Sequence, residues 1–385
     1  MADVVIIGAG VIGASVAWHL TQAGVSDVLL LEREAAVGQG STGRATGGFR
    51  AQYGTEINVR LSLLAREKLL CFEAETGCDP GFRQCGYLFL ARTPAQLAVL
   101  AAAQAVQHAA GLQEAVLLDQ AGVSAVNPAV DAAGLAGAAF CPKDGFLRPL
   151  QLLRGYLDGA LRGGARLRTN ARVSGLRRGA AGRIESVVTA DGEEIAAGCV
   201  VDAAGPWAGE VARLAGVLLP VVPLRRQVAA TALTALLPEE MPMTIWVDDG
   251  FHLRVRDGRV LLLLPSPGAK DPWSVAVEPD WIERVERIAG ERVPALRGLH
   301  IERERSWAGL YELSPDRHAL LGRAPGCENL FLANGSSGHG VMHAPALGQL
   351  LAELIVHGAA RALDVRALRP ERFAEGAPIV GPDLL

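Results

Sequence analysis

Apolar residues follow two rhythms along this chain, and the change between them outlines the fold. Asp3-Val-Val-Ile-Ile7 is a short β-branched run without polar interruption, as expected of a strand covered on both faces in a parallel sheet. It leads directly into Gly8-Ala-Gly10-Val-Ile-Gly13, and a helical pattern follows through Trp18 and Leu20 to Gly24. A second run, Val28-Leu-Leu-Leu-Glu32, ends in an acid. Helices are predicted at Glu56 to Thr76, Pro94 to Ala110 and Leu150 to Arg162, and strands at Gly86 to Leu90, Ala165 to Arg168 and Ile184 to Thr189. The Pro94 helix is Ala/Gln-rich, which suits a surface position. Cys199-Val-Val-Asp-Ala-Ala-Gly205 repeats the logic of a buried strand ending in a glycine turn.

From Val221 to Pro265 the rhythm becomes consecutive strands, including Phe251 to Val255 and Arg259 to Leu264 joined by a turn at Arg256-Asp-Gly258. Helical crossovers vanish there, so this part is expected to form an antiparallel sheet. The first rhythm returns with the strand Asn329 to Ala333, the turn Gly335-Ser-Ser-Gly-His-Gly340 and a helix from His343 to His357. The predicted fold is therefore α/β plus antiparallel β. A discontinuous Rossmann-type domain takes residues 1–80, 145–215 and 315–385, and an inserted antiparallel-sheet substrate domain takes 81–144 and 216–314.

Composition removes some classes. With 385 residues the chain is long enough for two or three domains, and half of it is hydrophobic against 20% charged, which excludes a disordered chain. The formal charge of −4 and the scattered basic residues leave no basic face for nucleic acid. Six cysteines without a C-x-x-C pair suggest neither zinc nor disulfides, no metal site is expected, and a reduced cytoplasm is the expected location. No apolar stretch is long enough to read as a transmembrane helix.

The opening segment carries the chemistry. Gly8 permits a tight turn, Gly10 lets the backbone approach a pyrophosphate, Gly13 lets helix and strand pack closely, and Glu32 accepts from a ribose hydroxyl. Strand, glycines, helix, strand and acid together predict dinucleotide binding. No second G-x-G-x-x-G opens another nucleotide half. Instead Gly40-Ser-Thr-Gly-Arg-Ala-Thr-Gly-Gly48 offers amides and hydroxyls, with Ser41, Thr42, Arg44, Thr46, Gly47 and Gly48 suited to lining a pyrophosphate and a flavin ring.

The ordered set DVVIIGAGVIGAS from Asp3, STGRATGGFRAQY from Ser41, VVDAAGPWA from Val200, WAGLYELSPD from Trp307 and GSSGHGVMHAPALGQLLAELI from Gly335 resembles the D-amino-acid-oxidase-like flavoprotein family. Within it the chain is similar to the beta subunits of sarcosine oxidases and of dye-linked L-proline dehydrogenases. The resemblance implies non-covalent FAD, because the cysteine that carries flavin in monomeric sarcosine oxidases matches Gly309. It implies removal of hydride from the carbon beside an amine. It extends the cofactor-binding set to Arg33, Val173, Ala204, Gly205, Trp207, Gly309, Gly335, Ser337, Gly338, His339, Gly340 and Val341.

An amino acid substrate needs a forked cation for its carboxylate, and Arg50, just past the flavin loop, matches the carboxylate-binding arginine of sarcosine oxidases. His339 is expected to polarise the flavin or accept from the amine. Trp246, Phe251, His252 and Tyr311 are candidates for a cage around a neutral amine. The lysine that sarcosine oxidases carry after the final Gly-His-Gly matches Met342, and the strand Val260 to Leu264 lacks the cation that aids oxygen reduction, for which Arg254, Arg256 or His252 could substitute. Lys270, between Pro267-Gly268 and Asp271-Pro272, reads as a solvated loop residue. The expected activity is dehydrogenation of a small secondary amino acid, proline or sarcosine, to an imine, with electrons leaving to a partner subunit or dye. The alternatives are a glycine or D-amino-acid oxidase, and a flavin-binding electron-transfer or assembly subunit.

Overall fold

The computed structural model describes residues 2–266 and 268–382, so Pro267, beside the expected Lys270 loop, lies outside the described residues. The two rhythms of the sequence become two large sheets, beside a short antiparallel pair of Gly48–Phe49 with Gly145–Phe146. In the first, the strands Leu330–Asn334, Glu194–Asp202, Ala2–Ile7, Val28–Leu31 and Arg166–Arg168 lie side by side and all parallel. Leu320–Arg323 closes one edge antiparallel to Leu330–Asn334. The long strand Glu194–Asp202 serves two sheets' worth of partners. Its end from Ala197 pairs with Ala2–Ile7, and its start pairs antiparallel with Ile184–Thr189 and, beyond it, Val173–Arg178.

The helices Val11–Gln22, Gly340–His357, Pro149–Arg162 and Glu56–Thr76 pack together on one face of this sheet. Gly340–His357 begins three residues before its sequence pattern suggests and contains Pro345. Gly13 makes the first helix possible at this distance, because a Cβ there would sit 2.0 Å from the Gly8 carbonyl oxygen.

The second sheet runs in the order Trp307–Leu313, Val222–Ala230, Arg259–Leu263, His252–Arg256, Met243–Trp246, Tyr87–Ala91, Gly137–Cys141, Val116–Leu118. It is not antiparallel throughout. Met243–Trp246 and Tyr87–Ala91 run parallel, with Met243 opposite Tyr87 and Trp246 opposite Leu90. Sequence patterning misses this because a hairpin enforces antiparallel neighbours, whereas these strands come from two separate stretches of chain with no hairpin between them. The amphipathic helix Pro279–Arg292 is likewise absent from the expectation, and it buries Trp281, Ile282, Val285 and Ile288 against the outer face of this sheet.

Trp246 and Phe251 belong to that apolar cluster, 2% and 0% exposed. They are core residues and not part of a cage. All six cysteines are free thiols. Among the described residues no helix is long and apolar enough to cross a membrane.

Candidate active site

The two sheets enclose a cavity of about 1370 Å³. Its floor is the carboxyl end of the parallel strands, the usual place for a ligand in such a sheet. At one end stands Glu32, whose carboxylate accepts from the Ala9 amide at 3.1 Å and the Glu34 amide at 3.0 Å. This fixes the acid in place while leaving lone pairs for hydroxyl donors. Val173, Ala204, Gly205 and Trp207 form the adjacent wall. The Trp207 ring is held between the Arg33 guanidinium, 3.5 Å from its centroid, and the stacked ring of Trp273 at 5.4 Å.

Gly8 and Gly10 line the middle. Gly8 has φ +103°, and a Cβ there would lie 2.5 Å from the Ala203 carbonyl oxygen, so no other residue fits the turn. The helix Val11–Gln22 starts here with no side-chain cap at Gly10. Its Val11 amide donates to Thr42 Oγ1 at 3.1 Å, which leaves the Thr42 hydroxyl hydrogen to be given to an acceptor in the cavity. A helix N-terminus with uncapped amides attracts an anion such as a pyrophosphate.

The loop 40–48 is riveted from outside. Ser41 Oγ donates to the Leu310 carbonyl, Arg44 Nη1 to that of Ala308, and Trp307 Nε1 to that of Arg44. Arg254 and Arg256 bind the carbonyls of Ala45, Thr46 and Gly47. Arg44 also packs against Gly309, where a Cβ would be 3.0 Å from the Arg44 Cβ. With its carbonyls tied down, Thr46, Gly47 and Gly48 form part of the cavity lining.

At the far end Ser337, Gly338, His339, Gly340 and Val341 line the cavity at the start of the helix Gly340–His357, again without a side-chain cap. Gly335 lies outside the lining, as does Gly13. A Cβ on Gly335 would come 2.2 Å from Leu320, which makes it a packing glycine beneath the turn. Arg50, Tyr311 and His252 converge here from three different segments. Arg50 is 4% exposed, donates from Nη2 to His339 Nε2 at 3.2 Å, and lies 4.4 Å from the Tyr53 ring. The Tyr311 ring packs on Gly338, where a Cβ would be 2.4 Å away.

His252 gives its Nδ1 proton to the Gly250 carbonyl at 2.7 Å, which leaves Nε2 as an acceptor. Desolvation, helped by the charges of Arg50 and Arg226, lowers its pKa to about 4. His339 is held well below its usual range by desolvation and Arg50, so both imidazoles are neutral near pH 7. Burial pushes the Tyr311 hydroxyl up, so it stays protonated.

Among the cavity residues that the sequence does not single out are Glu312 and Arg226. In the strand Trp307–Leu313 burial alternates, and Glu312 follows Ala308 and Leu310 on the buried side. An acid in that series was the available signal. Its Oε1 accepts from the Ser336 amide, its Oε2 has no partner among the described residues, and burial pushes its carboxyl up to about 7. Arg226 follows Arg225 on a strand, where neighbouring side chains take opposite faces, but alternation alone does not say which faces the cavity.

The size of the cavity, the anchored acid at one end, the helix N-terminus at its middle and the hydroxyl and amide lining all fit an FAD laid lengthwise. The chain resembles known proteins over almost all its length. It is 28% identical to FAD-dependent oxidoreductase domain-containing protein 1 of Xenopus laevis, over 98% of this chain and 84% of that protein. It is 28% identical to 4-methylaminobutanoate oxidase (formaldehyde-forming) of Paenarthrobacter nicotinovorans, over 96% of this chain but only 45% of that protein, so it spans less than half of this second relative. The solved L-proline dehydrogenase from P. horikoshii superposes with a TM-score of 0.91 at 28% identity, covering 98% of this chain and 99% of that one. The DAO family model, described as FAD dependent oxidoreductase, matches residues 3–354, and the chain belongs to that family.

Proposed function

We propose that this FAD-dependent oxidoreductase acts on the CH–NH group of an amino-acid-type amine, and that the amine is a small secondary one such as proline or sarcosine, converted to its imine. FAD, when bound, supplies the hydride acceptor. The observation that carries the reading is the convergence of a buried arginine, a neutral imidazole acceptor and a phenol at the flavin end of one cavity.

Arg50 takes the substrate carboxylate through its fork, and His339 holds that fork in orientation. His252 Nε2 accepts from the amine N–H and so sets the direction of the nitrogen lone pair. The positive charges of Arg50 and Arg226, facing neutral histidines, disfavour an ammonium there, so the amine binds unprotonated. The nitrogen lone pair can then form the C=N bond as the hydride leaves, giving an iminium ion that releases its N–H proton to solvent to become the imine. The uncapped amides of Gly340 and Val341 and the partial positive charge of that helix N-terminus stabilise negative charge arriving at the cofactor. On this reading residues 1–80, 145–215 and 315–385 serve the cofactor and 81–144 and 216–314 the substrate.

Electrons leave to a dye, quinone or partner subunit more readily than to oxygen. The test is anaerobic addition of proline, sarcosine, glycine or a D-amino acid to the purified flavoprotein. Bleaching by one of the secondary amines supports this reading, bleaching by glycine or a D-amino acid alone moves it to the oxidase alternative, and no bleaching by any amine leaves the electron-transfer role.

A further inference from the structure

We propose that Arg226 forms a second anion site in the substrate cavity, and that the preferred substrate is an amine carrying two carboxylates, one bound by Arg50 and the other by Arg226. This rests on the amine-oxidation reading for the reacting group, but the anion site itself rests on geometry alone.

Arg225 and Arg226 are consecutive on the strand Val222–Ala230 and so point to opposite faces. Arg225 is neutralised in the ordinary way, by the Glu278 carboxylate and the Ala276 carbonyl. Arg226 turns into the cavity. Its Nη1 donates to the carbonyls of Arg225 and Ser266, each at 3.2 Å, and no carboxylate pairs with it among the described residues. Among the described residues the rest of its fork meets no acceptor.

The carboxylates that share the cavity are largely engaged elsewhere. Asp248 and Asp249 pair with Arg92 and Arg292, Glu34 pairs with Arg33, Glu32 accepts from backbone amides, Glu312 has one oxygen on the Ser336 amide and is pushed by burial toward its neutral form, and Glu210 is exposed to solvent. The half-buried Arg226 charge is thus partly desolvated and uncompensated, an arrangement that costs free energy until an anion arrives.

The site is continuous with that of the first arginine. The Arg226 guanidinium carbon lies 5.7 Å from the Tyr311 ring centroid, the Tyr311 ring packs on Gly338, and the next residue, His339, accepts from Arg50. A substrate lying across Tyr311 with its α-carboxylate on Arg50 would direct a second acidic arm toward Arg226. A substrate with one carboxylate leaves that guanidinium unsatisfied, which makes Arg226 a specificity-determining residue.

The test uses the FAD-loaded protein. Perturbation of the resting flavin spectrum is titrated with malonate, succinate and glutarate against acetate, propionate and butyrate, in wild type and Arg226→Gln. Dye-linked turnover is then compared for iminodiacetate and sarcosine. The best diacid should bind at least about tenfold tighter than its matched monoacid, and Arg226→Gln should weaken the diacid by ~10- to 100-fold, the usual range for a lost charged hydrogen bond, with a far smaller effect on the monoacid. In turnover the variant should raise KM for iminodiacetate more than it lowers kcat. Equal binding of diacids and monoacids by the wild type overturns the proposal without need of a variant, as does an equal loss of both in Arg226→Gln. Arg226-dependent diacid binding without bleaching by any amine would keep the anion site and refute the amine reading, whereas bleaching by sarcosine with no diacid preference would do the reverse.

Discussion

Arg50 Nη2 donates to His339 Nε2 across 3.2 Å, and this one contact decides the state of the imidazole. A nitrogen that accepts from a guanidinium carries no proton, so the hydrogen of His339 is on Nδ1. A protonated His339 would place two cations in contact, and desolvation together with Arg50 holds its pKa well below the usual histidine range. Under the proposed role of this pair as a carboxylate receptor, its two members predict different kinetic losses.

Arg50→Ala should raise KM for an amino acid substrate by roughly 30- to 1,000-fold, the range for losing a buried charged hydrogen bond, with the bound flavin spectrum unchanged. His339→Ala leaves the charge but loosens its orientation, so its KM effect should be smaller. Steady-state dye reduction on both variants checks the order, and an Arg50 variant with wild-type KM removes Arg50 from the substrate site.

The FAD should be released by acid. The position that carries the flavin link in monomeric sarcosine oxidases is matched by Gly309, which has no side chain, and its neighbour Arg44 fills the space beside it. Precipitation with acid should leave the yellow cofactor in the supernatant. Flavin retained in the pellet after washing would show a covalent bond made elsewhere.

The reduced protein should react slowly with oxygen. Superoxide-like charge needs a cation close to the reacting edge of the flavin; the segment facing the cavity at Leu263 and Leu264 is apolar and buried, and on the proposed reading the cavity arginines Arg50 and Arg226 are taken by the substrate's carboxylates. Lys270 is exposed, and Arg254 and Arg256 spend their donors on the carbonyls of residues 45 to 47. After reduction by substrate, reoxidation in air should be many times slower than with a dye, and Leu263→Lys should speed it. Rapid formation of stoichiometric hydrogen peroxide by the wild type overturns the dehydrogenase assignment.

Glu312→Gln should change how stability depends on pH. Burial raises the Glu312 pKa from the ordinary 4.5 to about 7, so between those values the folded state binds more protons than the unfolded one. Stability associated with this group is therefore full below about pH 4.5 and is lost as pH rises through about 7. Glutamine does not titrate, so the variant should gain on wild type by on the order of 1–3 kcal/mol between about pH 5 and 8. Thermal unfolding of both proteins across that range measures it, and parallel curves would count against a buried proton on Glu312.

Much of this fold is legible because its signals are local. Val4 to Ile7, the three glycines and Glu32 lie in one short stretch, and each is explained by a neighbour a few residues away or by the ligand itself. The helix Glu56–Thr76 and the hairpin at Asp257 are readable for the same reason. The parallel pairing of Met243–Trp246 with Tyr87–Ala91 is not, since nothing local to either strand names the other. The aromatics divide on the same ground. His252 and Tyr311 line the cavity while Trp246 and Phe251 fill the core, and only the packing of Pro279–Arg292 on the far face of the sheet decides between them. Arg226 and Glu312 are invisible as site residues for a related reason, because a strand shows which residues share a face but not what that face meets.

The parallel seam of the second sheet also bears on how the chain is made. Tyr87–Ala91 and Met243–Trp246 are separated by about 150 residues, and the intervening chain passes through the first sheet before returning. During synthesis the earlier strand emerges long before its partner, with only Gly137–Cys141 to cover its other edge. Until the later strand arrives, the apolar edge at Leu88 and Leu90 is open to mispairing, the hazard typical of long-range β contacts. Truncating the chain anywhere before Trp246 should therefore yield aggregates and not a smaller folded domain, and chaperone demand should peak while residues 150 to 240 are being translated.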